Sequence, residues 1–169
     1  QAYDLKGGIA IPEDVIWTND IRLALGKLPD NVLAIWHHGF TEMFNNAIDH
    51  SDGSRISVRM KKNAAETKMQ ISDNGIGIFK KIQTALNLLD ERHAVLELAK
   101  GKLTTDPARH SGEGIFFTSR MFDSFAIVSG DVVFTHNYGQ KEDWIHADHE
   151  TITGTHVFMD LHNHTSRTT

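Results

Sequence analysis

The amino-acid sequence predicts an α+β fold, a two-layer sandwich in which a mixed, mostly antiparallel β-sheet is backed by helices on one face. Two observations lead to this prediction. The first half of the chain spaces its apolar residues as helices do, apart from one hairpin, whereas the second half alternates apolar and polar residues in short pieces. Helices and strands that are segregated along a chain in this way are typical of α+β domains.

The composition is that of a single soluble globular domain spanning residues 1–169, with 40% hydrophobic and 23% charged residues. The chain has no cysteine, which excludes disulfides and thiol nucleophiles and suits a reducing compartment, so we expect a cytoplasmic domain. Its net charge of -5 argues against nucleic acid as a partner of this domain. No apolar run reaches the roughly 20 residues that span a bilayer, so no membrane contact by this domain is expected. From Gln1 and the polar residues 165–169, we expect the domain to be part of a longer protein.

Two helical patterns open the chain. Residues 13–25 form a short one that ends at Gly26. A stronger pattern runs over about 31–50, where apolar residues at spacings of three and four define one buried stripe. The members of this stripe are Val32, Trp36, Phe40, Met43, Phe44 and Ala47.

A hairpin follows the second helix. Apolar and polar residues alternate over 56–61, as they do in a half-buried strand. Met69 and Ile71 resume the alternation after a polar turn at 62–66. The sequence therefore predicts two paired strands here.

The remainder of the chain predicts more helix and then strand. Residues 80–101 return to helical spacing, 102–112 have the composition of an exposed loop, and a helix is expected over about 113–122. After that the sequence predicts short strands broken by glycines. The strands are 124–129, 131–137, 141–149 and 155–161, and the glycines are Gly130, Gly139 and Gly154.

Three polar residues, Glu42, Asn46 and His50, recur at every fourth position of the helix over 31–50 and therefore lie along one side of it. Because the apolar stripe lies about opposite, this side presents an acid, an amide and an imidazole to a shared groove. An Asn oxygen can bind a hard cation such as Mg²⁺, and a neighbouring carboxylate can deprotonate a water or a hydroxyl. The alternative is a solvated polar face without function.

The segment Asp73-Asn74-Gly75-Ile76-Gly77 closes the second strand of the hairpin. Its glycines allow a sharp turn and the approach of a flat ligand, because no Cβ stands in the way. The carboxylate before them can accept a hydrogen bond from an exocyclic amine. A plain Asp-Asn-Gly turn is the alternative.

A third motif, Ser111-Gly112-Glu113-Gly114, stands just before a predicted helix. Backbone N–H groups without an intrahelical partner and the positive end of the helix dipole form an anion site there. A helix-capping turn would have the same sequence. The pair Gly154-Thr155 opens the last predicted strand and carries no information alone.

In order along the chain, these motifs are Glu and Asn on a helix, Asp-x-Gly-x-Gly at a strand end, Gly-x-Gly before a helix, and Gly-Thr in a late strand. The series resembles the ordered boxes of the GHKL ATPase superfamily of gyrases, heat-shock chaperones, histidine kinases and MutL proteins. The resemblance covers about 31 to 161 and is closest to histidine-kinase-like and anti-sigma-type ATP-binding domains. It implies the Bergerat ATP-binding fold, with ATP and Mg²⁺ as ligands.

The resemblance also implies roles for individual residues. Asn46 matches the Mg²⁺ ligand, and Glu42 matches the acid that serves as general base in the ATPases and serine kinases. Asp73 matches the residue that reads the adenine amino group, while Gly75 and Gly77 shape the pocket. His50 belongs to the same helix box and is counted among the nucleotide-binding residues.

The phosphate end of the site follows in the same way. Residues 78–111 correspond to a mobile lid over the triphosphate, and Lys102 is one of its basic side chains. Gly112 and Gly114 correspond to the backbone that cradles the phosphates, and Thr155 is expected near the adenine. Glu113 departs from the family pattern, because it places a carboxylate inside the phosphate-binding turn.

Three functions stay open at this point. The chain is expected to be the ATP-binding part of a histidine- or serine-kinase-like phosphotransferase in signal transduction, whose phosphoacceptor or protein partner lies outside this chain. An ATPase that drives a conformational cycle and a non-catalytic nucleotide sensor are the alternatives. Glu42 favours the two catalytic functions, since a sensor needs no base beside Asn46.

A competing interpretation is a metal centre near the end of the chain. His162 and His164 form a His-x-His pair, a spacing that can ligate Zn²⁺ from a strand. Three further histidines precede this pair, namely His146, His149 and His156. The rest of a nuclease motif is missing.

Overall fold

An antiparallel sheet of five strands organises the part of the chain that this computed structural model describes, residues 1–4, 12–99 and 114–169. The strands lie in the order β1-β2-β3-β5-β4, and each pairing is antiparallel. Their bounds are β1 Ala2–Asp4, β2 Arg55–Lys62, β3 Glu66–Asp73, β4 Ser124–Asn137 and β5 Trp144–His162.

Helices cover one face of the sheet. Buried Val58 and exposed Arg59 of β2 show the alternation, which sends apolar side chains toward the helices and polar ones to solvent. The predicted two-layer α+β sandwich is confirmed. The helices are α1 Glu13–Ile16, α2 Arg22–Leu25, α3 Asp30–His50, α4 Ile78–Leu86, α5 Glu91–Ala99 and α6 Gly114–Met121. No helix among the described residues has the length and apolar character that a membrane crossing needs.

The short helix predicted over 13–25 is present but not regular. A π-helical turn over Trp17–Ile21 joins α1 to α2, and Gly26 ends the helix at φ 64°. That backbone angle favours glycine, which explains why the helical pattern stops there.

Helix α3 confirms the prediction for 31–50 and packs closely on the core. The rings of Phe40 and Phe44 are fully buried and stack with centroids 5.1 Å apart. At Gly39 a Cβ would come within 2.5 Å of the Phe122 ring, so a glycine is needed for α3 to approach the segment that precedes β4. The close approach of α3 to Phe122 fixes the position of the polar row formed by Glu42, Asn46 and His50.

The predicted hairpin is confirmed as strands β2 and β3. Val58 pairs with Ile71, and Met60 pairs with Met69, so that apolar side chains of both strands share one face. Asp73 is the last residue of β3, and the glycine-containing turn begins directly after it.

The single helical stretch predicted over 80–101 is wrong in one respect, because the structure contains two helices, α4 and α5. Asn87 ends α4 in the left-handed conformation at φ 51°, which Asn tolerates better than most residues. Buried Phe79 and Ile82 of α4, and Val95 and Leu98 of α5, attach both helices to the body of the domain. The predicted lid stays a prediction for residues 100–111, which lie outside the described residues, as does the predicted loop over 102–112.

The four short strands predicted over 124–161 are also wrong in extent. The structure has two long strands, β4 and β5, which form a hairpin. Gly139 lies in the turn of this hairpin, as predicted, at φ 82°. Gly130 and Gly154 instead have positive φ inside the strands, where the register of the pairing shifts. Both glycines therefore belong to β-bulges, which a sequence pattern does not distinguish from strand ends.

Candidate functional site

A cavity lies between α3 and the sheet, near the end of β3. Four residues singled out from the sequence meet in its wall: Asn46, His50, Asp73 and Thr155. The other lining residues are mostly apolar. They are Met43, Ala47, Ser51, Ile71, Ile78, Ile115, Ile127 and Val157.

Helix α3 forms one side of the cavity. Asn46 and His50 line it together with Met43 and Ala47, so the polar row and part of the apolar stripe share this wall. The expectation that these two rows lie about opposite each other is wrong for Met43 and Ala47, because positions 43, 46, 47 and 50 stand at i, i+3, i+4 and i+7 and share one face of the helix. A ligand here meets apolar surface and an amide within one turn of helix.

Glu42 lies one turn before Asn46 and contacts a different element. A Cβ on Gly114 would overlap Glu42 Oε2, so the carboxylate lies directly against the first residue of α6. The N-terminal end of a helix carries N–H groups and positive dipole, which favours a carboxylate or another anion. Gly114 and Glu42, which stand in separate motifs of the sequence, are therefore neighbours in the fold.

Asp73 is the acidic group of the cavity, and only 8% of its surface is exposed. Its Oδ1 accepts hydrogen bonds from the N–H of Gly75 at 2.9 Å and of Thr155 at 3.3 Å. Burial raises the pKa of the Asp73 carboxyl above its usual value, and these hydrogen bonds offset part of that rise. A buried carboxylate in an apolar cavity is a strong acceptor for a ligand N–H.

Thr155 connects three elements at the cavity. Its N–H donates to Asp73, and its hydroxyl oxygen accepts a hydrogen bond from the N–H of Ile78 at 2.9 Å. Strand β5 therefore supports both the end of β3 and the first turn of α4. The expected position of Thr155 near the adenine stays a prediction, and the structure adds that its N–H donates to Asp73.

The two glycines after Asp73 are required by close backbone packing. A Cβ on Gly75 would overlap the carbonyl of Ser51, which also accepts a hydrogen bond from the N–H of Ile76 at 2.9 Å. Gly77 has φ 90°, which favours glycine, and a Cβ there would lie 2.5 Å from Ser129 Oγ. The missing Cβ atoms therefore allow close packing within the protein: Gly75 lies against Ser51 at the end of α3, and Gly77 lies against Ser129 of β4.

The phosphate end of the predicted site is only partly visible. Gly114 begins α6, and Ile115 beside it lines the cavity. Lys102, Gly112 and Glu113 lie outside the described residues.

Sequence reasoning missed most of the cavity wall. Ser51 directly follows the box that ends at His50, and its side chain is buried in the cavity wall. Ile115 follows Gly114, and Val157 lies two residues after Thr155 on the same face of β5. The only sequence signal for these residues was that they lie next to the motifs. That signal does not distinguish residues that line the cavity from ordinary core residues.

The histidines near the end of the chain do not form a metal centre in the described part of the chain, where no group of three or more His, Asp or Glu residues is arranged to hold an ion. His162 Nδ1 instead lies 2.7 Å from Asp123 Oδ2. His156 Nδ1 lies 3.3 Å from the side-chain nitrogen of Gln70. The side chain of His149 is outside what the structure describes.

Comparison with known proteins gives one family. Residues 32–162 match the model of the family described as "Histidine kinase-, DNA gyrase B-, and HSP90-like ATPase". Among solved structures, the chain is similar to the 43K ATPase domain of Thermus thermophilus gyrase B in complex with an aminocoumarin, at 19% identity and a TM-score of 0.45. That match covers 73% of this chain and 33% of the gyrase chain, so this chain spans about a third of its length. No curated protein matches the chain.

Proposed function

Since the chain belongs to the histidine kinase-, DNA gyrase B- and HSP90-like ATPase family, we propose that it binds Mg-ATP for phosphotransfer of the histidine- or serine-kinase type in cytoplasmic signalling. Family membership makes the chain an ATP-binding domain of the GHKL superfamily. The metal, the reaction and the role of each residue are the proposal. The observation that carries it is the carboxylate of Asp73, which is buried in a cavity with apolar walls.

Asp73 is proposed to recognise the adenine. Apolar walls suit the faces of a flat base, and a buried acceptor suits its exocyclic amino group. The acceptor is held in place, because Gly75 and Thr155 both donate to Oδ1. Guanine has a carbonyl oxygen where adenine has its amino group, so two hydrogen-bond acceptors would face each other. The site is therefore expected to prefer adenine.

The metal and the phosphates are proposed to lie along α3, away from Asp73. The Asn46 side chain carries an amide oxygen, the kind of ligand that Mg²⁺ takes while keeping its waters and phosphate oxygens. Bound Mg²⁺ would neutralise charge on the triphosphate. Glu42, beside the start of α6, is the proposed general base, and Lys102, Gly112 and Gly114 are proposed phosphate contacts.

Two other functions are compatible with the same cavity. An ATPase that drives a conformational cycle would use Glu42 on water, and a nucleotide sensor would not use it at all. Glu42 one turn before Asn46 favours a catalytic role, since a sensor needs no base there. A phosphoacceptor or a protein partner is proposed to lie outside these 169 residues.

The proposal is tested by incubating the purified full-length protein with γ-labelled ATP and following released phosphate and labelled protein together. Label on protein supports phosphotransfer. Phosphate release without label supports the ATPase, and binding without either supports the sensor. Either of these two results overturns phosphotransfer if it persists when candidate protein partners are added. Absence of nucleotide binding would contradict the assignment of the cavity.

Replacing Asn46 by Ala is expected to weaken Mg-ATP binding by about 10- to 150-fold, because a contact to a charged group is lost. Binding of ATP in the presence of EDTA should change little, since no metal then needs a ligand. Calorimetric titration with and without EDTA measures both. Asn45→Ala, at the neighbouring position of α3, is the matched control and should keep both affinities. An equal loss with EDTA would show a packing defect rather than a metal contact.

Nucleotide binding is expected to depend on pH through Asp73. The ionised carboxylate is the acceptor, and its pKa is raised by burial. As pH falls through this raised pKa, the carboxyl becomes protonated and affinity for ATP decreases, starting above the value of about 3.9 at which an exposed Asp titrates. Affinities measured from pH 7 downward should show this decrease for the native chain. The Asp73→Asn variant, which has no proton to gain there, should show a flatter profile, and identical profiles would exclude Asp73 as the titrating group.

A further inference from the structure

Helix α6 connects the candidate cavity to the hairpin that β4 and β5 form. In its first turn, Gly114 lies against the carboxylate of Glu42, and Ile115 lines the cavity. The helix has eight residues, so its two ends lie only about 12 Å apart. Under the proposed function, a shift of α6 would carry Gly114, a proposed phosphate contact, away from Glu42.

The other end of α6 is held by Arg120, in the last turn. Its Nη1 donates to the hydroxyl of Ser119 at 2.8 Å and to the carbonyl of Phe116 at 3.2 Å. The guanidinium carbon lies 3.7 Å from the centroid of the Phe116 ring, which is a cation–π contact. Nη2 donates to Asp143 Oδ2 at 3.1 Å. The guanidinium is therefore fixed on its own helix and attaches that helix to Asp143.

Asp143 is fixed from the side of the hairpin. It stands directly before the first residue of β5, and its Oδ1 lies 2.6 Å from Nδ1 of His136 on β4. Only 14% of the Asp143 side chain and 8% of the His136 side chain are exposed. Exposed ion pairs contribute little, because solvent screens them and their side chains are mobile. A carboxylate that is shielded and bound at both oxygens instead gives its pair with Arg120 a defined geometry.

We propose that Asp143 is a positioning residue for the phosphate end of the nucleotide site, and that it acts through Arg120 and α6. The hydrogen bonds that hold Asp73 come from the turn after it and from β5, not from α6. Loss of the ion pair should therefore weaken contacts to the phosphates and leave contacts to the adenine unchanged. The inference rests on the proposed function, which assigns the phosphates to Gly114.

Titration of the full-length protein with Mg-ATP and with adenosine tests the inference, because adenosine lacks the phosphates. Asp143→Asn is expected to weaken Mg-ATP binding by about 2- to 30-fold and to leave adenosine binding unchanged. Arg120→Gln breaks the same pair from the side of α6 and should give the same result. The double variant should lose no more affinity than either single variant, since one pair is broken in each case. The matched control is Glu142→Gln, at the exposed neighbouring position, which should keep both affinities.

Three results would overturn the inference. An equal loss of affinity for adenosine and for Mg-ATP would show that the pair only stabilises the fold. Native affinity for Mg-ATP in a variant that lacks the pair would show that α6 keeps its position without it. Losses that add in the double variant would show that Asp143 and Arg120 act separately.

Thermal unfolding of each variant shows whether it is folded, and Arg120→Gln decides the test if Asp143→Asn does not fold. A native protein that binds neither adenosine nor Mg-ATP would contradict the proposed function itself. Native binding of both ligands, together with one of the three results above, would overturn the role of Asp143 alone.

Discussion

Turnover of ATP by a Glu42→Gln variant is expected to fall by about 10²- to 10⁴-fold, the range that general-base assistance supplies. Gln keeps the size of the side chain and can still accept a hydrogen bond, but it cannot take a proton. Affinity for Mg-ATP should survive, and it should tighten slightly because a negative charge near the triphosphate is removed. Turnover and affinity are to be measured on the same preparation, by phosphate release and by calorimetric titration.

The control for this substitution is Asp49→Asn, which removes a carboxylate from an exposed position of α3. Its turnover should match that of the native chain. Intact binding with lost turnover in Glu42→Gln would support either catalytic function. Turnover that survives the substitution would show that another group is the base, and His50 or Glu113 would be tested next.

Substitution of Asp73 by Asn is expected to weaken ATP binding by about 30- to 1000-fold, because a charged hydrogen bond is lost and the amide presents N–H to an amino group. The folded state should persist. Asn keeps an oxygen that can accept the hydrogen bonds from Gly75 and Thr155. It also removes a carboxyl group that burial makes harder to ionise. Titrations with ATP and GTP measure the loss and its specificity.

Asp52→Asn is the matched control for this experiment, because Asp52 is an exposed carboxylate in the turn before β2, paired with Lys81 at 2.9 Å. Its removal should leave ATP binding unchanged. A correctly folded Asp73→Asn protein with native affinity for ATP would rule out adenine recognition by this residue. Thermal unfolding of both variants shows whether a loss of binding reflects a loss of fold.

The elements that local periodicity determines were predicted well from the sequence. Helix α3 has a long stripe at helical spacing, and its buried Phe40 and Phe44 lie where the stripe placed them. The hairpin of β2 and β3 follows from strict alternation. Where one residue changes the backbone, the pattern was insufficient: Asn87 divides a continuous helical pattern into α4 and α5, and Gly130 makes a bulge inside β4.

The sequence singled out four residues that line the candidate cavity, but it did not predict how they are arranged. Asn46, His50, Asp73 and Thr155 do line one cavity, because their motifs stand at the ends of elements that meet there. Spacing along the sequence gives no distance between separate elements, so it could not predict the contact between Glu42 and Gly114. The same holds for apolar lining residues such as Ile127, whose sequence context is that of any core position.

The double attachment of Thr155 limits how the domain can transmit a change of state. The N–H of Thr155 donates to Asp73, and its hydroxyl accepts from the first turn of α4. A displacement of α4 that strains its bond to the hydroxyl would therefore also strain the bond from the Thr155 N–H to the carboxylate. Under the proposed function, a partner that pulls on α4 would lower affinity for the adenine without touching it, and by reciprocity a bound adenine would resist that pull.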